Sequence, residues 1–317
     1  KNREDWRDRD VLTIDPATAK DYDDAIHVEK LATGWRLAVH IADVSHYVKP
    51  DSALDIEARE RGNSTYLVDR VIPMLPEELS NGLCSLNPGV ARLTKCAVLE
   101  IGPAGAIKKM RFVAAVIKTP RKYSYEEAQD ILDDKVDGGK LGDQIREAWK
   151  CAAVLRKRRF TNGGLDLEMP EVSIILDDDG VPTGYKKEEY STSHQLIEEF
   201  MLVANEAVAR KVKNARKPTI YRVHEDPDPD RLNEYAELAR SHGYDPGDLT
   251  NRKHIQALLN EAKGSVEEHA IKLGLLKSLK RACYLASPDG HYGLAKTDYC
   301  HFTSPIRRYA DLIMHRA

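Results

Sequence analysis

One large α+β domain, a mixed β-sheet surrounded by helices, is the fold this sequence predicts. Three observations lead there. Strand-like and helical stretches are interleaved without the strict alternation of a doubly wound sheet. The 317 residues are 42% hydrophobic and 31% charged, which supplies a sizeable core without disulfide staples. No internal repeat, low-complexity tract or linker-like stretch divides the chain, so a single domain over residues 1–317 is expected rather than two.

The elements follow in order. Val11 to Asp15 reads as a short strand closed by Pro16, and the acidic loop Lys20-Asp21-Tyr22-Asp23-Asp24 comes next. Ala25 to Glu29 and Trp35 to Val44 pair around Thr33-Gly34. A short helix over Ala53 to Arg61 stops at Gly62. Asn63 to Pro76 is rich in β-formers. Pro76 suits the first position of a helix carrying Glu77 and Glu78 in its first turn and ending near Asn87-Pro88-Gly89. Lys95 to Ile101 and Met110 to Lys118 form a hairpin around Gly102-Pro103-Ala104-Gly105. Helices are expected over Ser124 to Asp133 and Leu141 to Arg159, and a hairpin over Val172 to Leu176 and Gly184 to Tyr190. In the helix Ser193 to Val212, Thr192 and Gln195 make a capping box, and Leu196, Phe200, Val203 and Ala207 the apolar stripe. Ile220 to His224 is a strand halted by prolines, and helices run on to about Leu279. His291 to Ala295 and Asp298 to Phe302 read as a strand pair, followed by a helix starting at Ser304-Pro305.

Composition excludes several classes. The longest apolar runs fall far short of the ~20 residues of a spanning helix, so no membrane partner is expected. A net charge of −3, from 48 basic and 51 acidic residues, is not the profile of a stand-alone nucleic-acid binder. Any nucleic-acid affinity is local or shared with neighbouring domains. Five cysteines without a C-x-x-C pair argue against a disulfide framework or zinc knuckle and for the cytoplasm. The charged start at Lys1 and a helix pattern still running at Ala317 suggest a fragment of a longer chain.

Asp15, Asp21, Asp23 and Asp24 are crowded at one strand end and the loop after it. If they converge, each pair of charges ~4 Å apart costs roughly 4 kcal/mol at an effective dielectric of ~20. Such a cluster needs cations or protonated members, and hard carboxylate oxygens suit Mg2+ or Mn2+. A solvated acidic turn is the alternative. An EF-hand is not: counted from Asp21, Ala25, Ile26 and Ala32 occupy positions that a calcium loop fills otherwise. Arg307 and Arg308 fall in the first turn of a helix capped by Ser304, where the macrodipole disfavours cations. A bound phosphate resolves that conflict, as does a carboxylate from elsewhere. Tyr66 is either a core tyrosine or a platform for a base. Glu198, Leu202 and Asn205 share a helix face, which either contacts ribose hydroxyls or is simply solvated. His40, Asp43 and His46 mimic a metal motif, yet a strand points the first two to opposite faces. They read as structural, like His224. The basic run Arg156 to Arg159 suits a helix C-terminus.

The run Thr13-Ile14-Asp15-Pro16-Ala17-Thr18-Ala19-Lys20-Asp21-Tyr22-Asp23-Asp24-Ala25 resembles the signature of the ribonuclease II/ribonuclease R family. His40 to Val48, Val71 to Pro88 (closer to ribonuclease R) and His301-Phe302-Thr303-Ser304-Pro305-Ile306-Arg307-Arg308-Tyr309-Ala310-Asp311-Leu312 resemble its later blocks, in order and across nearly the whole chain. The resemblance implies a 3′→5′ exoribonuclease domain of that family's RNB type. Such a domain hydrolyses single-stranded RNA processively to nucleoside 5′-monophosphates by a two-metal mechanism. A catalytically dead RNA-binding or scaffolding module is the alternative, and another magnesium phosphohydrolase a third. It implies Asp15, Asp21, Asp23 and Asp24 as magnesium ligands, with Asp23, Asp24 and Arg307 catalytic. Tyr66, Glu199 and Arg308 are implied RNA contacts. Leu165 and Leu167 stand where the family often has a second stacking aromatic. A monomer with flanking cold-shock-like and S1 RNA-binding domains in the full-length chain completes the expectation.

Overall fold

A computed structural model describes residues 2–169 and 171–317. The chain opens with β1 (Glu4–Trp6), β2 (Thr13–Asp15), β3 (Asp24–Lys30) and β4 (Trp35–Ala42). A single turn, α1 (Val44–Tyr47), leads to α2 (Ala53–Arg61) and the small hairpin β5 (Thr65–Tyr66) and β6 (Val71–Ile72). The long strands β7 (Ala91–Ile101) and β8 (Ile107–Lys118) are followed by β9 (Lys122–Ser124), α3 (Tyr125–Leu132) and α4 (Gly139–Thr161). The hairpin β10 (Glu171–Leu176) and β11 (Pro182–Glu188) precedes α5 (Thr192–Asn214) and β12 (Tyr221–Val223). Three helices, α6 (Pro229–Ser241), α7 (Arg252–Ala262) and α8 (Glu268–Ser278), lead to β13 (Cys283–Leu285) and α9 (Tyr309–Arg316).

The fold class is the one the sequence predicts. A five-stranded sheet in the order β1-β8-β7-β4-β3 is antiparallel except for the parallel β1–β8 pair. Alternation along the strands decides its faces. Leu37, Val39 and Ile41 of β4, with Leu99 and Ile101 of β7, pack on α4 and α5 through Ile145, Ala148, Phe200 and Ala204. Each large side chain so buried stabilises by about 1.5–3 kcal/mol. On the other face Ala38, Cys96 and Val98 lie under Trp6, whose ring meets His40 edge-on at 4.9 Å. Gly34 closes the β3–β4 turn at φ +85°, and a Cβ there would lie 2.0 Å from the Ile101 carbonyl oxygen. A second apolar cluster gathers Tyr22, Met74, Leu75, Leu86, Ile306 and Leu312 at one end of the sheet. It joins the acidic loop to the segment before α9. The helices α6–α8 form a third cluster that includes Leu165.

Four local expectations are corrected. Residues 76–87 hold a π-helical turn over Glu78–Leu83 rather than an α-helix. There Arg92 takes the Gly82 and Ser85 carbonyls and Asn87 takes that of Asn81. Residues 291–302 do not form a strand pair. Ala295 is left-handed at φ +53°, and β13 rather than this segment pairs with β12. The box at the head of α5 is Ser191 with His194, not Thr192 with Gln195. Finally, the last helix starts at Tyr309, because Arg308 is extended at φ −136°, ψ 122°.

Candidate functional site

Asp15 ends β2 and Asp24 begins β3. The loop between them is pinned by a distant turn. Tyr22 donates its N–H to Ser85 Oγ at 3.0 Å, Ser85 Oγ donates to the Lys20 carbonyl at 2.7 Å, and the Tyr22 carbonyl accepts from Leu86 N–H at 3.0 Å. The Asp23 carbonyl accepts from Ala42 N–H at 2.8 Å. The opposite wall comes from the other end of the chain, where three buried side chains hold the turn before α9. Asn205 Oδ1 accepts from Phe302 N–H at 2.9 Å, Asp311 Oδ1 from Ser304 N–H at 2.7 Å, and Asp23 Oδ1 from Ile306 N–H at 2.9 Å. These acceptors hold the residues after Ser304 in a turn that is not yet helix. Arg307 therefore precedes the helix it was expected to start. Its Nε lies 3.7 Å from Asp23 Oδ2, and its Nη2 donates to Ser304 Oγ at 3.1 Å.

The two walls enclose a cleft of about 800 Å³ lined by Asp15, Asp21, Asp23, Asp24, Tyr66 and Arg307, among others. Tyr66, 53% exposed on β5, donates its hydroxyl to Asp21 Oδ2 at 3.0 Å. Arg308 also reaches the cleft, but its guanidinium fork donates to both oxygens of the buried Asp311 at 2.8 and 2.9 Å. That pairing makes it a holder of the turn. The expected RNA contact at Glu199 is corrected: Glu199 is buried, and its Oε1 accepts from Arg159 Nε at 2.9 Å and Nη2 at 2.5 Å. Its neighbour Glu198 lines the cleft instead, together with Leu202 and Asn205.

Other side chains named from the sequence lie elsewhere. His40 is buried with Nδ1 3.2 Å from Thr94 Oγ1, and Asp43 pairs with Arg3 at 2.5 Å, while His46 is exposed. His224 accepts from Gly293 N–H at 3.2 Å. Two further cleft residues carry no role in the sequence reading. Tyr125, the first residue of α3, lies beside Asp15 because β2 runs parallel to β9, and its ring stacks on His194 at 3.8 Å. His301 lies just ahead of the arginine turn.

The electrostatics are those of an anion cluster that one nearby cation, Arg307, only partly offsets. Asp15 Oδ2, Asp23 Oδ2 and Asp24 Oδ2 are buried and accept no hydrogen bond. Burial, reinforced by Asp24, Asp23 and Asp21, holds Asp15 well above the usual carboxylate range. Burial raises Asp23 too, against the pull of Arg307 and the Ile306 amide, and lifts Asp24 to about 6. Among the described residues no three histidines, cysteines or carboxylates already stand at ligand spacing. Donor chemistry and the unpartnered oxygens nevertheless fit a hard divalent cation.

A pH dependence follows. A carboxyl whose folded pKa is raised costs stability when ionised, and that cost is relieved as pH falls through the folded value. Buried His40 and His315 and half-buried His301 (pKa about 3), with half-buried His291 (about 4), pull the other way. The clean comparison is therefore wild type against Asp24→Asn in EDTA, where the histidine contributions cancel. The variant is expected to melt higher at pH 7.5, by on the order of 3 kcal/mol for the wild-type charge it removes. That advantage shrinks as pH falls through 6 toward 4. A gap that stays constant in scanning calorimetry across this range would contradict the buried charge.

The profile described as RNB domain matches residues 3–317. The chain is 45% identical to Ribonuclease R of Thermotoga maritima over 327 residues, covering 99% of this chain and 45% of that protein. It is 42% identical to Ribonuclease R 1 of Lactococcus lactis over 322 residues, covering 99% and 39%. A solved structure, Mycoplasma genitalium RNase R in complex with ribose methylated single-stranded RNA, superposes with a TM-score of 0.96 at 34% identity, covering 99% of this chain and 50% of that one. The chain thus spans less than half the length of these curated relatives. No helix among the described residues is long and apolar enough to cross a membrane.

Proposed function

The chain belongs to the RNB domain family, and from that premise we propose that it is a 3′→5′ exoribonuclease domain that hydrolyses single-stranded RNA processively to nucleoside 5′-monophosphates. One observation carries the reading above all. Three buried carboxylate oxygens that accept no hydrogen bond share a single cleft with Arg307. Asp15, Asp21, Asp23 and Asp24 would hold Mg2+, with Mn2+ as a substitute. A bound pair of such cations supplies water acidity and charge neutralisation at the phosphate.

The chain's own residues do the rest. Arg307 offers a guanidinium fork to the phosphate undergoing substitution, in a turn fixed by Asn205, Asp311 and Asp23 before substrate arrives. Tyr66 presents an exposed ring at the cleft edge for a base, worth ~1–3 kcal/mol. Glu198, Leu202 and Asn205 line the far wall. A net charge of −3 suits a core that borrows electrostatic affinity from flanking RNA-binding domains in a monomeric cytoplasmic enzyme.

The test uses 5′-labelled single-stranded RNA with Mg2+ or with EDTA. Magnesium-dependent shortening from the 3′ end, with 5′-monophosphates as product, is the expected result. RNA that shifts in a gel but stays intact would overturn the catalytic reading in favour of a binding module.

A further inference from the structure

His301 is a polar cleft residue that the catalytic reading leaves without a task. It lines the same wall as Ser304 and Arg307. Its Nδ1 lies 2.7 Å from the hydroxyl of Tyr284, and the Tyr284 and Tyr299 rings meet it edge-on at 5.6 and 5.9 Å. Tyr284 is itself held. It pairs across β12–β13 with Arg222, whose guanidinium lies 4.8 Å over its ring, and Arg222 donates its N–H to the Tyr299 carbonyl at 3.0 Å. The small β12–β13 sheet, far in sequence from the aspartates, is thereby connected to the cleft wall through this imidazole and through the Tyr299 backbone.

The chemistry of that imidazole is constrained. Burial, with Arg308 and Arg222 nearby, brings its pKa down to about 3, so the ring is neutral in the working range. A neutral imidazole has one donor and one acceptor nitrogen. A phenol is a better donor than acceptor, so the Tyr284 hydroxyl donates to Nδ1 and the ring proton resides on Nε2. With Nδ1 occupied, Nε2–H is the polar group His301 has left for the cleft.

We propose that His301 is a substrate-contacting residue whose Nε2–H donates to an oxygen of the RNA sugar-phosphate backbone beside Arg307, and that Tyr284 is the positioning residue that sets its tautomer. This inference rests on the reading of the cleft as an RNA-hydrolysing site. A neutral donor beside Arg307 adds direction without adding a cation that would compete for the carboxylates.

The experiment compares His301→Gln, His301→Asn, Tyr284→Phe and the double variant Tyr284→Phe/His301→Gln, in single-turnover shortening of 5′-labelled RNA with Mg2+. Glutamine places an amide N–H near the position of Nε2, and asparagine near that of Nδ1. Glutamine is expected to keep the rate within about fivefold. Asparagine is expected to lose about 10- to 100-fold, the scale for a hydrogen bond to a charged group. Tyr284→Phe is expected to lose about threefold to tenfold alone, and nothing further when added to His301→Gln, since it acts only through the ring. A purely structural imidazole predicts the opposite order, with asparagine preserving the Tyr284 bond and outperforming glutamine. That order overturns the proposal, as do rates that follow melting temperature across the four variants. A wild-type chain that binds but does not shorten RNA would remove the underlying reading as well, and is distinguished by the wild-type lane alone.

Discussion

Asp23→Asn is expected to slow RNA shortening by about 10⁴, the scale for neutralising one carboxylate of a catalytic constellation, while the EDTA-treated protein melts higher than wild type. Both effects come from one carboxylate with two tasks. Oδ1 accepts from Ile306 N–H at 2.9 Å, which ties the acidic loop to the arginine turn. Oδ2 is buried, accepts nothing, and faces the cleft. Asparagine keeps an acceptor for the Ile306 amide, so the turn bearing Arg307 stays in place. The charge is what disappears. Burial already holds this carboxyl well above the ordinary range, with Asp311 and Asp24 adding to the repulsion, and removing it relieves the metal-free fold. Magnesium should then raise the melting temperature of wild type more than that of the variant, because the ligand charge it pays for is gone. Near-normal shortening by the variant would dismiss Asp23 from the reaction. Collapse of the variant's fold in EDTA would mean that the charge holds Arg307 and stabilises the metal-free fold rather than straining it.

The parts of this site that could be read from the sequence are those whose meaning is local. Four aspartates around one strand end carry their own electrostatic problem wherever the rest of the chain goes, and the structure brings them to one cleft. Arg307 stands out in the sequence because it breaks the dipole rule of the helix expected after Ser304. The helix in fact starts later, at Tyr309, and buried acceptors account for the intervening turn. Glu199 could have been placed correctly. It stands three residues after Leu196 and four before Val203, on the apolar stripe, so helical phase already demanded a buried cation partner, which Arg159 supplies. Its neighbour Glu198 lies about 100° around the helix and reaches the cleft. The placement of Tyr125 and of His301 in the cleft is not legible in the sequence. The first depends on the parallel pairing of β2 with β9, and the second on a β12–β13 sheet that replaced the strand pair expected over residues 291–302. Long-range pairings of that kind leave no periodic trace in the segments that make them.

Arg307→Ala is expected to lower the rate of shortening by about 10²–10³, the cost of removing a preorganised donor from a developing charge, and Arg307→Lys to recover little of it. Lysine restores the charge but not the planar fork that meets two phosphate oxygens together. The diagnostic lies in stability rather than rate. Arg307 is the cation nearest the unpartnered oxygens, 3.7 Å from Asp23 Oδ2, and it draws down the pKa values of Asp15, Asp23 and Asp24. Deleting it in EDTA leaves the carboxylates to repel one another, so Arg307→Ala should melt below wild type where Asp23→Asn melts above it. Two variants that stop the same reaction then move the metal-free fold in opposite directions. Arg307→Lys separates the two roles of the guanidinium, since it should restore most of the melting temperature and little of the rate. Combining Arg307→Ala with Asp23→Asn should cancel much of the stability change, because the anion that the arginine opposes is gone. Equal melting temperatures for all of these proteins in EDTA would mean that the cleft is open enough for water to screen the cluster. The carboxylates would then need no cation, and the electrostatic case for a metal-binding site would fall with them.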